Sequence, residues 1–255
     1  MIIIIPSMEN NELLRRAEDL RDRCERSAIL TATAFLTPAE QRELEQWAAP
    51  RGEPRLVFFG GGPDCERRCG FFLPDYLTGE DIPDQEKIGC VAYQSFFGRP
   101  GHRDYLGAAL GLGIRREWLG DIRLSGDRCW IFCLKTVEEL LLSLDRVGRI
   151  TVKGENCPLP EVPAEERKTE ERTFTVQSLR LDAVAAGLFR LSRTAAAEQI
   201  RLGLVSLNYE PCLRPDAVIR EGDVISLRGK GKGSVKEIGG RSKKDRLFIT
   251  AERRL

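Results

Sequence analysis

Three prolines in six residues, Pro158, Pro160 and Pro163, run into the charged stretch Glu165-Glu166-Arg167-Lys168-Thr169-Glu170-Glu171-Arg172. Proline withholds a backbone donor and fixes φ, and a solid charge run offers no apolar face, so this segment is expected to separate two packed bodies. The charge balance changes sign across it. From Phe174 to Leu255 the chain carries 16 of its 40 Lys+Arg and 9 of its 39 Asp+Glu, a net of +7, which leaves a net of −6 on the first 173 residues. A basic module behind an acidic body is the asymmetry expected of a chain with a polyanionic partner. At 255 residues, 42% hydrophobic and 31% charged, the chain has enough apolar mass for two domains or three small ones, and wholesale disorder is excluded.

No stretch suits a membrane. The longest uncharged apolar run, Tyr105 to Ile114, has ten residues and three glycines, against about 20 apolar residues for a span. Met1-Ile2-Ile3-Ile4-Ile5-Pro6 lacks the basic start and the length of a signal peptide, and Met8 is read as the natural start behind an extension Met1–Ser7. The chain is expected in the cytoplasm, with its eight cysteines reduced. Cys65-x-x-x-Cys69 and Cys129-x-x-x-Cys133 are spaced more widely than zinc knuckles, and the second pair falls on one face of an apolar strand. Cysteine there acts as a small hydrophobe, so core packing is favoured and no metal is expected.

The expected fold class is α+β. Asn10–Ala48 reads as helical, with Thr37-Pro38-Ala39-Glu40 as a capping box and Pro at the first helical position. Apolar strands are expected at Arg55–Phe59, Gly70–Leu73, Ile88–Ser95, Asp121–Leu124, Arg128–Leu134 and Arg149–Lys153, with helices at His102–Leu112 and Val137–Asp145. These give an N-terminal α+β region over 1–73, a central ferredoxin-like α+β domain over 74–157, a linker over 158–173 and a last domain over 174–255.

The last domain carries the clearest signals. Arg180-Leu181-Asp182 opens one short helix, and Ser192 caps a second that begins at Arg193 and ends at Gly203. Leu204–Asn208 alternates as a strand, and Glu221-Gly222-Asp223-Val224-Ile225 supplies a turn and another strand. Together these resemble an S4 RNA-binding domain (the αL type), two helices on a small sheet with a basic face toward structured RNA. One departure is Tyr209, where many such domains have Gly; a turn of another type is expected there. Arg193 in a first helical turn, beside unsatisfied N–H groups, suits a phosphate. Arg180, Arg190 and Arg201 are expected near it, and Arg228-Gly229-Lys230-Gly231-Lys232-Gly233 reads as a flexible cationic loop. For Arg180 an ion pair within the domain is the alternative; for Lys230 and Lys232 it is plain solvation. Arg180 and Arg193 are both expected to be exposed, so their removal is expected to spare the fold.

Three motifs occur in one order: Phe59-Gly60-Gly61-Gly62-Pro63-Asp64-Cys65-Glu66-Arg67, the long His102-Arg103-Asp104-Tyr105-Leu106-Gly107 to Gly120-Asp121-Ile122 stretch, and the S4-like module. From about Leu36 onward the chain resembles the bacterial YlmH family. The resemblance implies a non-enzymatic, ribosome-associated factor without cofactor. Its partners would be the 50S subunit with its 23S rRNA, tRNA, and other factors of the quality control that tails stalled nascent chains, where it would stabilise peptidyl-tRNA. It also implies a loose tie to cell division, and the protein is expected to act as a monomer. Arg180 and Arg193 match the positions expected to touch rRNA and tRNA. In the central domain His102, Arg103 and Tyr105 form either a basic-aromatic RNA contact or a helix cap with Tyr105 in the core.

Enzyme readings find little support. Gly60-Gly61-Gly62 lacks the Lys-Ser/Thr of a phosphate loop, and no G-x-G-x-x-G occurs in the first 173 residues. His102-Arg103-Asp104 lacks the Asn of a kinase catalytic loop, and a single histidine leaves Ser/His/Asp schemes without a partner. An RNA-modifying enzyme with an S4 appendage and a division-site adaptor remain as alternatives.

Overall fold

The computed structural model describes residues 8–62, 64–77, 87–164, 169–242 and 244–254. Met1–Ser7, read above as an extension, lies outside the described residues. The fold is α+β, in two compact units that divide at the 165/166 junction.

The first unit opens with α1 (Met8–Ser27), β1 (Thr31–Leu36) and α2 (Pro38–Ala48). The sequence reading ran helix through all of this; the structure breaks it at Thr31-Ala32-Thr33-Ala34-Phe35-Leu36. β-Branched Thr31 and Thr33 favour extended backbone. A tertiary partner decides the rest: β1 pairs antiparallel with β3 (Arg68–Leu73), which also pairs with β2 (Arg55–Phe59). The capping box at Thr37 forms as expected, with Glu40 Oε2 accepting from Thr37 N at 2.6 Å and Thr37 Oγ1 accepting from Glu40 N at 3.4 Å. Such a cap contributes about 1 kcal/mol.

A second sheet follows, built from β4 (Ile88–Phe96), α3 (His102–Gly111), β5 (Leu119–Ser125), β6 (Arg128–Leu134), α4 (Glu138–Leu142), the short edge strand β7 (Arg146–Val147) and β8 (Ile150–Asn156). Its antiparallel order β5-β6-β4-β8-β7 with one helix in each crossover is ferredoxin-like. β4 is buried on both faces, which is why it reads as a continuous apolar run. Val91 and Tyr93 pack toward Tyr105, Ala109 and Leu141 under the helices. Cys90 and Ala92, with Trp130 and Phe132 of β6, pack against Phe35, Cys69 and Phe71 of the first sheet. That shared core places the regions expected over 1–73 and 74–157 in one unit.

The second unit holds β9 (Thr169–Val176), α5 (Leu181–Phe189), α6 (Arg193–Arg201), β10 (Val205–Leu207), β11 (Glu210–Pro211), β12 (Val224–Leu227), β13 (Gly231–Arg241) and β14 (Leu247–Arg254). The sheet order is β11-β10-β12-β13-β14-β9, and Leu181, Val184, Leu188 and Ile200 of the helices close over Val235, Ile249 and Ala251.

Of the segment expected as a linker over 158–173, the described residues are therefore largely structured. Thr169–Thr173 belongs to β9, in unbroken register with β14. The charge run hides the strand because β9 is an edge strand, where Glu170, Glu171 and Arg172 all keep access to water while exposure alternates along it. Before it, Leu159 is buried in the first unit's core, and the Pro163 carbonyl accepts from Arg123 at 2.8 Å.

Candidate nucleic-acid interface

Asp182 organises the start of the helical pair. Its side chain is only 7% exposed, yet it carries a carboxylate, and two arginines supply its donors. Arg180, the residue preceding α5, reaches both oxygens, Nε to Oδ1 and Nη2 to Oδ2, each at 3.4 Å. Arg193, first residue of α6, places Nε 3.2 Å from Oδ2. The two arginine side chains stay 40% and 51% exposed. The intradomain ion pair considered for Arg180 is thus present, and Arg193 shares it. Exposure of the two arginines does not make them structurally idle, since both hold the buried Asp182 carboxylate.

Ser192 caps α6 as its sequence signature predicts, its Oγ accepting from Ala195 N at 3.1 Å. Arg193 therefore stands beside N–H groups at the positive end of a helix dipole, with much of its guanidinium facing solvent. Two cations, a helix start and a single neutralising carboxylate leave a local excess of positive charge.

The other basic residues are dispersed. Arg190 ends α5 in the left-handed region at φ 53 and donates to Glu170 at 3.2 Å. Arg172, hydrogen-bonded to Glu170 at 2.6 Å, and then Arg190 hold that carboxyl below its ordinary pKa. Arg201 is exposed in the last turn of α6, about 12 Å along the axis from Arg193. Arg228 and Lys230 are exposed in a three-residue hairpin turn between β12 and β13, in which Lys230 N donates to Leu227 O at 2.9 Å. Lys232 lies within β13, paired with Ser226, its Nζ 5.9 Å from the Tyr209 ring centroid. The flexible cationic loop expected at 228–233 is a tight turn running into a strand, because Gly229 (φ 80) and Gly231 (φ 89) supply the turn and β14 fixes the strand's other edge.

The turn at Asn208-Tyr209 also departs from expectation. Both residues have positive φ, 53 and 73, in the two-residue hairpin between β10 and β11. That is the geometry usually given to Asn-Gly. Asn208 Nδ2 donates to Asp223 at 2.8 Å and its Oδ1 accepts from Val224 N at 2.9 Å. These bonds hold the turn although Tyr209 has a side chain where glycine is favoured.

In the first unit, His102 and Arg103 are exposed at the start of α3, while Tyr105 is buried against Tyr93, ring centroids 5.8 Å apart. Tyr105 thus belongs to the core, and the basic-aromatic triad does not form. Though His102 is exposed, the surrounding protein strips part of the water from its ring, and this, with the nearby Arg116 cation, pushes it below its ordinary pKa. The long motif's Asp121 accepts from the backbone N of Glu66 at 2.7 Å and of Arg67 at 3.0 Å, and Arg67 donates to Leu119 O and Phe35 O. Its carboxylate and that guanidinium tie the two sheets together.

Cys129 and Cys133 share the helix-side core, and Cys65 and Cys69 the other. Among the described residues no group of three His, Cys, Asp or Glu could hold a metal ion, and no helix is long and apolar enough to cross a membrane.

Sequence reasoning missed Asp182 as the shared partner. The available signal was Arg-x-Asp at one helix start and Arg at the first position of the next.

Residues 85–161 match the family model described as "Putative RNA-binding domain in YlmH". A curated relative, "Ribosome-associated protein quality control protein P2" of Bacillus subtilis (strain 168), is 34% identical over 222 residues, covering 87% of this chain and 86% of its own. The solved structure titled "Cell division protein ylmH from Streptococcus pneumoniae" aligns with TM-score 0.52 and 24% identity over 63% of this chain and 98% of that one, a likeness of fold. With more than four-fifths of both sequences aligned to the Bacillus protein, the chain belongs to the YlmH family.

Proposed function

We infer that this protein is a non-enzymatic RNA-binding factor of the ribosome, acting in quality control of stalled nascent chains. Its second unit works as an S4 domain that holds 23S rRNA of the 50S subunit and the peptidyl-tRNA left on it. The observation that carries this reading is the pair of half-exposed arginine side chains, Arg180 and Arg193, converging on one buried carboxylate at a helix N-terminus. Asp182 presents the two forks in fixed directions, and the outward N–H groups match phosphate oxygens bidentately. The name of the Bacillus relative supports a ribosomal setting, and the family model, which matches residues 85–161 of the first unit, supports RNA as a ligand of the protein as a whole.

The test is co-sedimentation with 50S subunits over a salt series. Phosphate binding makes log affinity fall linearly with log salt. Replacing Arg193 by Gln should weaken binding and flatten that slope by about one. A salt-independent association, or an Arg193→Gln protein that binds as the parent does, contradicts the reading.

A further inference from the structure

The ferredoxin-like sheet has one face under its helices, and the other is only half covered. Over the lower half, Trp130 and Phe132 are sealed beneath the first sheet. The upper half is open, and register places Phe96 beside Thr151 and Gln94 beside Lys153 and Arg128 there. At its rim stands Phe97, with a relative exposure of 106% and φ of 59. A large apolar residue, fully in water and in the left-handed region, is disfavoured on both counts.

The turn that carries it is nonetheless pinned. Ser95, itself buried, has its Oγ 3.0 Å from Gly98 O and 2.8 Å from Asp127 O, and its N donates to Asp127 O at 2.9 Å. Gly98 lies flat on Ile150, where a Cβ would come within 2.6 Å of Cδ1. Phe97 is held out rather than left loose.

The surroundings are cationic. Arg146 pairs with Thr151 in the same row as Phe96, Arg149 sits in the turn beside Ile150, and Lys153 lies two residues further; all three are exposed. Of the nearby acidic residues, Glu155 is engaged by Arg128 at 2.9 Å, which leaves Asp127 and Asp145 against the three cations.

We propose that Phe97 and Phe96 form a stacking platform for an unpaired base of single-stranded RNA, with Arg146, Arg149 and Lys153 receiving its phosphates. Strand faces in sheets of this topology bind single-stranded RNA through exposed aromatics, and stacking accepts any base. In this chain the first sheet occupies the centre of that face and leaves its rim. The proposal rests on the RNA-binding reading above but uses a different unit and a different RNA form.

The experiment uses the full chain and a fluorescein-labelled 15-nucleotide oligo(A), read by anisotropy, beside 50S co-sedimentation. Phe97→Ala should weaken oligo(A) binding about 10-fold, and Phe97→Tyr should restore it. Phe97→Gly, which suits the left-handed backbone, should unfold no earlier than the parent while binding as poorly as the alanine variant. Binding unchanged in Phe97→Ala, or not restored by Tyr, overturns the proposal. A parent protein that binds 50S but not oligo(A) overturns it and leaves the ribosomal reading intact; binding to neither overturns both.

Discussion

Removing Arg180 and Arg193 together should cost more stability than the sum of the two single losses. The reason is Asp182, whose carboxylate is nearly sealed while its two partners are half in water. The contacts are long, 3.2 to 3.4 Å, where charge-assisted bonds run nearer 2.8 Å. Each arginine alone therefore contributes about 1 kcal/mol after solvent screening. With one gone, the other still neutralises the carboxylate. With both gone, a buried anion has no counter-ion, and that adds about 2 kcal/mol to the two single costs. For a domain of this size the coupled loss is about 10 °C in Tm. Thermal and urea unfolding of Arg180→Ala, Arg193→Ala, the double variant and the same set on an Asp182→Ala background measure it. On that background the arginine substitutions should cost almost nothing. Strict additivity in the parent background, or an equal loss on Asp182→Ala, refutes the reasoning. The same set has a functional use: Asp182→Ala keeps both cations, so it should lose far less RNA affinity than the double arginine variant.

Three other outcomes follow from the packing. Tyr93 donates to the Leu141 carbonyl at 2.7 Å inside the helix-side core, so Tyr93→Phe should cost about 1–2 kcal/mol by urea unfolding. A Cβ at Gly187 would fall 2.2 Å from Phe174 Cδ2, so Gly187→Ala should lower stability by about 1–3 kcal/mol despite alanine's better helix propensity, and an unchanged Tm would contradict the docking of β9 under α5. Burial pushes the Cys65 thiol up to about 11 and those of Cys69 and Cys133 to about 12. Unfolded thiols ionise near pH 9 and the folded ones do not, so the unfolded chain holds fewer protons between pH 9 and 11. Stability should therefore fall with rising pH in that window, at up to about 1.4 kcal/mol per pH unit for each such thiol. A flat profile there would contradict the burial.

Local signals were readable where neighbours in sequence are neighbours in space. The caps at Thr37 and Ser192 and the helix from His102 are of this kind, since each depends on a side chain three residues from the backbone group it serves. What was hidden depends on partners far along the chain. β1 was lost inside a helical reading because only β3 makes it a strand. β9 reads as a linker because Glu170, Glu171 and Arg172 form an unbroken charge run on an edge strand, and β14, nearly eighty residues later, recruits it. The two arginines were legible as a basic site from the helix starts. Their common carboxylate was not, because the fold of α5 against α6 brings Asp182 and Arg193 together across eleven residues. Phe97 carried no pattern at all; only the structure shows that the side chain is held in water.

We proposed above that this protein holds peptidyl-tRNA on the large subunit. The most direct measurement is sucrose-gradient co-sedimentation of the purified protein with empty 50S subunits and with 50S carrying peptidyl-tRNA, at low and moderate salt. Preferential binding to the tRNA-loaded particle should persist at moderate salt and be lost in the double arginine variant. Equal binding to both particles, or none to either, contradicts it.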